Sequence, residues 1–122
     1  MQPADTPTGR ILVVEDEAMV AMLLEDILDE LGYATVGPAA RVAEALQILD
    51  SEAIDGALLD VNLLGETSYD IADALARRGC PFIFTTGYGE AGLEEAYRDR
   101  PVLQKPFTRD RLAEALAAHI FP

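Results

Sequence analysis

GALLD, residues 56–60, sets three apolar residues between a glycine and a carboxylate. A run this short, bounded by turn-forming residues, reads as a strand buried on both faces. Such strands belong to parallel sheets covered by helices on each side. The run ends in Asp60, and a charged group beside buried apolar residues costs free energy unless it is paired. The flanking chain must therefore supply covering helices and a partner for the acid.

It supplies the helices on both sides. ILVV (11–14) is a second apolar, β-branched-rich run. Val20, Leu23, Leu24, Ile27, Leu28 and Leu31 follow at three- and four-residue steps, an amphipathic helix stopped by Gly32. YATVG (33–37) is a strand closed by Gly37-Pro38, and a helix spans roughly 41–51 through Val42, Leu46 and Leu49. Downstream of GALLD come a helix over 68–78, a strand at PFIFT (81–85) and a weaker one at PVLQ (101–104). A last helix carries Leu112, Leu116 and Ile120 behind Thr108, a good N-cap residue. Strict alternation of strand and helix implies a doubly wound α/β domain with a parallel sheet. Ligands in such sheets bind beyond the carboxyl ends of the strands, where strand order reverses.

Bulk properties narrow the function classes. The 122 residues suit one domain. The formal net charge is -13, from 22 acids against 9 bases, which opposes binding to nucleic-acid phosphates or anionic membranes. One cysteine and one histidine exclude a disulfide framework and an ordinary zinc site. The polar, Pro-containing residues 1–9 read as a disordered tail and not a signal peptide, and no apolar run has membrane-spanning length. A cytoplasmic protein is expected.

The strand-end rule collects a small polar set. Glu15 and Asp16 follow the first strand, Asp60 the third, Thr85, Thr86 and Gly87 the fourth, and Lys105-Pro106 the fifth. Adjacent carboxylates cannot all ionise cheaply, and Mg²⁺, a hard cation taking oxygen ligands, would resolve the conflict. Glu15 and Asp16 equally suit the N-terminus of the helix that follows. Lys105 is the only lysine, fixed by Pro106, and could reach an anion near Asp60. Thr86 offers a hydroxyl beside a glycine, with Thr85 competing for that role. Cys80 reads as a packed thiol and His119 as a partly buried structural histidine. GYGEAG (87–92) has dinucleotide-loop glycine spacing but lacks the strand–helix–strand context.

Taken together, VVEDE (13–17), LLDVNL (58–63), Thr86-Gly87 and KPF (105–107) resemble the receiver domain of two-component response regulators. The similarity runs from about Arg10 to Ile120. It implies a flavodoxin-like domain over 10–122 with strand order 2-1-3-4-5. It further implies that Asp60 accepts a phosphoryl group from a sensor histidine kinase or histidine phosphotransfer protein, as a covalent aspartyl phosphate. Asp16, Asp60 and the Asn62 backbone carbonyl match the Mg²⁺ ligands, with Glu15 holding metal-bound water. Lys105 and Thr86 match the groups that stabilise the phosphoryl and read it out. A single-domain receiver, monomeric or dimerising on phosphorylation, would signal by protein contact around the fourth helix, fifth strand and last helix.

Three departures accompany the resemblance, and one is the loop after Asp60, which commonly reads Met-Pro-Gly and is NLLGE (62–66) here. The aromatic switch usually found three positions before the lysine is Val102 here. Only 19 residues separate Thr86 from Lys105, so the fourth helix should be short or poorly ordered, with GYGEAG mobile. FTTGYG (84–89) resembles the Phe-Ala-Thr-Gly-Tyr signature of an atypical receiver subgroup associated with HWE-class kinases, in which Tyr88 is a candidate substitute aromatic. Two rival readings stand beside this one. A haloacid-type phosphatase would use an acid of VVEDEA (13–18) as nucleophile, and a pseudo-receiver would bind partners without being phosphorylated.

Overall fold

The computed structural model describes residues 9–87 and 93–122. The expected tail over 1–8, Tyr88 and the rest of the GYGEAG segment after Gly87 lie outside them. In chain order the elements begin with β1 (Arg10–Val14), α1 (Ala18–Glu30), β2 (Ala34–Ala39) and α2 (Val42–Ser51). Next come β3 (Gly56–Asp60), β4 (Asn62–Leu63), β5 (Glu66–Thr67), α3 (Tyr69–Arg77) and β6 (Phe82–Thr86). A 3-10 turn (Glu95–Tyr97), β7 (Val102–Gln104) and α4 (Arg109–His119) complete the described chain. The main sheet is parallel, ordered β2-β1-β3-β6-β7, which is the expected flavodoxin-like order of its five strands.

Alternation along each strand divides the core in two. Leu12, Val14, Leu59, Phe82 and Phe84 face α2 and α3 through Ala45, Leu49, Ile71 and Leu75. Ile11, Val13, Leu58, Ile83 and Leu103 face α1 and α4 through Leu24, Leu28, Leu112 and Leu116. All five GALLD residues are buried, as the short apolar run requires. Gly56 is needed for packing: a Cβ there would lie 2.5 Å from Ile120 Cγ2. The order in which successive strands are added reverses between β1 and β3, so the crevice opens above Val14 and Asp60.

Four expectations change. β2 runs through Pro38 to Ala39 and does not close at Gly37; Gly37 takes φ +91, and the β1–β2 register shifts there. Gly9, counted with the tail, is buried, and its carbonyl accepts the Ala34 N–H at 2.8 Å. Residues 62–67 form an antiparallel hairpin, β4–β5, that was not anticipated. Its turn, Leu64-Gly65, has φ of 48 and 87, the left-handed pair of a tight hairpin turn usually occupied by Asn-Gly. His119 is exposed on α4 rather than structural. The short fourth helix is, among the described residues, only the 3-10 turn.

Candidate functional site

Four sequence-selected residues meet above the switch point. The Lys105 ammonium lies 2.8 Å from Glu15 Oε1 and 3.5 Å from Asp60 Oδ2. Oxygens of Glu15, Asp16 and Asp60 all lie within 4.8 Å of one another. Glu15 and Asp60 are buried, at 3% and 7% exposure, so their charges act on each other through little water. Asp16 is not capping α1. Its Oδ2 accepts the Leu64 N–H at 3.0 Å, while Glu15 Oε2 accepts the Glu17 N–H at 3.1 Å.

Three groups of the crevice carry shifted titrations. Burial, then the neighbouring Glu15 charge, push Asp60 up to about 7 against the opposing pull of Lys105. Burial would raise Asp16 as well, but its hydrogen bonds, led by that from Leu64, hold it below the ordinary carboxylate value. Burial would lower Lys105, yet its bond to Glu15 and the Asp60 charge outweigh this and hold it above the ordinary value. The cluster is thus short of positive charge. Its donors are all oxygen, the set a hard divalent cation takes, and ionisation of Asp60 is disfavoured until a cation joins it. These residues fit Mg²⁺.

The remaining candidates sit further out. Thr86 is buried at the end of β6, and its carbonyl accepts the Lys105 N–H at 2.8 Å, tying that strand end to the lysine. Thr85 is the residue in register with Asp60, and its carbonyl accepts the Val61 N–H at 3.2 Å. Asn62 is exposed at the start of the hairpin. Val102 pairs with Phe84 and packs, partly buried, on the α2–α3 core. Cys80 packs against the same core.

An aromatic group that sequence reading missed occupies that face. The Tyr97 ring stacks on Tyr69 with centroids 4.2 Å apart and meets Phe84 edge-on at 6.1 Å. The Tyr97 hydroxyl donates to Asp73 at 2.9 Å, and Tyr69 Oη accepts the Glu94 N–H at 2.8 Å. Burial and then the Asp73 carboxylate push Tyr97 up to about 12. Glu94 and Tyr97 are therefore pinned to α3 through Tyr69 and Asp73. No periodicity marks such a pair in sequence.

A family model, the response regulator receiver domain, matches residues 11–117. The chain belongs to this family. Similar solved structures include a solution structure of SdrG from Sphingomonas melonis Fr1, 52% identical with a TM-score of 0.81, covering 89% of this chain and 93% of that one. A second SdrG solution structure, of the BeF3-activated conformation from Pseudomonas melonis Fr1, is 48% identical with a TM-score of 0.79, covering 97% and 98%. The phyllosphere-induced regulator PhyR of Methylorubrum extorquens is 32% identical over 97% of this chain and 45% of its own length. The chain spans about half the length of the first curated relatives it matches.

The family is one of phosphorylatable receivers of two-component signalling that work with histidine kinases or phosphotransfer proteins and bind Mg²⁺ at an acidic pocket, and this chain carries an acidic cluster of Glu15, Asp16 and Asp60. The SdrG- and PhyR-like neighbours agree with the atypical subgroup suggested by FTTGYG. These relatives are regulators and not enzymes acting on external substrates, which sets aside the hydrolase reading. Among the described residues no helix is long and apolar enough to cross a membrane.

Proposed function

We propose that Asp60 accepts a phosphoryl group from the phosphohistidine of a sensor histidine kinase or phosphotransfer protein, of the HWE or a related class. The observation that carries this reading is the buried Asp60 carboxylate at the carboxyl end of β3, with Lys105 at 3.5 Å on one side and Glu15 and Asp16 on the other. In the transfer an Asp60 oxygen attacks phosphorus, the P–N bond breaks, and its electron pair stays on the imidazole nitrogen. Asp16, Asp60 and the Asn62 carbonyl would hold Mg²⁺, with Glu15 taking its water. The cation supplies charge neutralisation for the phosphoryl oxygens. Lys105 moves its charge from Glu15 and Asp60 to the phosphoryl group, and Thr86 donates its hydroxyl to the same oxygens.

That a BeF3-activated conformation is described for SdrG, 48% identical to this chain, supports a receiver that is switched in this way. The rim of the site supports a protein donor. Among the described residues the exposed large hydrophobics are Met19, Met22 and Leu23 on α1 and Leu64 on the hairpin tip bonded to Asp16. The reading requires the cytoplasm, and leaves the chain monomeric until phosphorylation. The test is intact mass after incubation with Mg²⁺ and either a small phosphodonor or a phosphorylated kinase. A gain of one phosphoryl group, abolished by Asp60→Asn, is expected. No gain from either donor leaves a pseudo-receiver and overturns the proposal.

A further inference from the structure

The β4–β5 hairpin is fixed at its base. The Ser68 N–H bonds to the Val61 carbonyl at 2.9 Å, and the Val61 N–H to the Thr85 carbonyl of β6 at 3.2 Å. Val61 and Leu63 are buried in the α2–α3 core. A tip on so firm a base has a defined position, and the Leu64-Gly65 turn brings the Leu64 N–H to Asp16 Oδ2 at 3.0 Å. The same short strand carries Asn62, whose carbonyl the proposed function gives to the cation. Donors divide the carboxylate oxygens of the crevice unequally. Glu15 is engaged through both, by Lys105 on Oε1 at 2.8 Å and by the Glu17 N–H on Oε2 at 3.1 Å. Asp16 is tethered through Oδ2 by Leu64, and Lys105 lies 3.5 Å from Asp60 Oδ2.

We propose that Leu64 is a positioning residue for cation choice: its amide, by tethering Asp16 through Oδ2, confines that carboxylate to ligation through one oxygen, which suits Mg²⁺ and disfavours Ca²⁺. Mg²⁺ demands a near-ideal octahedron at about 2.0–2.1 Å and keeps several waters, so one oxygen from each of two carboxylates is enough. Ca²⁺ takes about six to eight oxygens at about 2.3–2.6 Å and gathers them by taking both from one carboxylate. Ligation by both Asp16 oxygens would turn Oδ2 from the amide to the ion. The bond lost is one between an N–H and a charged acceptor, stronger than a neutral pair. Glu15, with both oxygens engaged, cannot make up the count without releasing Lys105 or the Glu17 N–H. The inference rests on the cation site of the proposed function and not on phosphoryl transfer.

The test titrates the full chain with Mg²⁺ and with Ca²⁺ by calorimetry at neutral pH, and follows the Leu64 amide signal by NMR. The wild-type chain should bind Mg²⁺ more tightly than Ca²⁺. Gly65→Val puts a branched residue at φ 87, where a Cβ meets nothing within 4 Å, so it acts through the turn alone. It should move the ratio of the two affinities about tenfold toward Ca²⁺. Gly65→Ala applies the same strain more mildly and should move the ratio the same way if the valine variant does not fold. Gly65→Asn, tolerated at positive φ, should keep the wild-type ratio. A role in folding alone would weaken both cations alike in the valine and alanine variants, and that result would overturn the proposal. The Leu64 amide signal should shift as Mg²⁺ fills the site; a stationary signal would overturn it too. Equal wild-type affinities would remove this inference alone, whereas binding of neither cation would remove it together with the cation role in the proposed function.

Discussion

Lys105 makes its shortest contact, 2.8 Å, with Glu15 and not with Asp60. The Glu15 side chain has no exposed surface, so removing the ammonium strands a buried carboxylate. Lys105→Met is expected to destabilise the cation-free protein by about 3 kcal/mol in urea titrations, and to lose the mass gain on phosphorylation. An unchanged urea midpoint would mean that the pair is worth nothing to the fold.

Stability should also fall as pH rises. Asp60 titrates at about 7 when folded and at about 3.9 when unfolded. Between those values the folded chain keeps a proton that the unfolded chain has released. Below the window both states are protonated and Asp60 has no effect; through it stability is lost, by a few kcal/mol in total. The shift comes first from burial and then from Glu15, so Asp60→Asn should flatten the curve over that window. Mg²⁺ competes for the same oxygens, and its stabilisation should be larger above pH 7 than below it. Urea midpoints in chelator and in millimolar Mg²⁺, across the pH series, measure both effects. A curve for the wild-type chain as flat as that of the variant would refute the assignment.

The hairpin tip carries a cost that can be removed. Leu64 holds φ 48, a conformation costing a leucine about 1 kcal/mol more than an asparagine. Leu64→Asn should therefore raise the melting temperature. If the exposed leucine serves the donor protein, the same change slows transfer from a kinase but not from a small phosphodonor. Equal slowing with both donors would place the effect in the site chemistry instead.

Tyr97 anchors the 3-10 turn to α3. Tyr97→Ala removes its stack on Tyr69 and its bond to Asp73, an expected loss of about 2 kcal/mol; Tyr97→Phe should lose about half of that. Hydrogen exchange across residues 93–100 should quicken in the alanine variant. Exchange unchanged from wild type would show that the segment is held by something else.

Much of this molecule could be read from its residues, for identifiable reasons. GALLD and ILVV announced buried strands because a fully covered strand needs a continuous apolar run, and Asp60 stood out against it. Thr108 was legible as a cap, and its side chain does accept the Arg111 N–H at 3.2 Å. The four charged groups of the crevice were found because strand ends in such sheets converge. What escaped was whatever depends on partners distant in sequence. The hairpin was hidden by a leucine at a position where asparagine would have signalled the turn. The Tyr69–Tyr97 stack joins residues 28 apart with no repeat between them. Lys105's preference for Glu15 is the difference between 2.8 and 3.5 Å, which no spacing rule resolves.

The bond from Leu64 N–H to Asp16 has a wider meaning. One end is a carboxylate facing the crevice; the other carries a side chain 56% exposed to solvent. A cation sharing that carboxylate draws electron density from it and loosens its grip on the amide. The hairpin tip and the acid cluster thus share one hydrogen bond, and an exposed apolar side chain sits one residue's backbone away from the crevice.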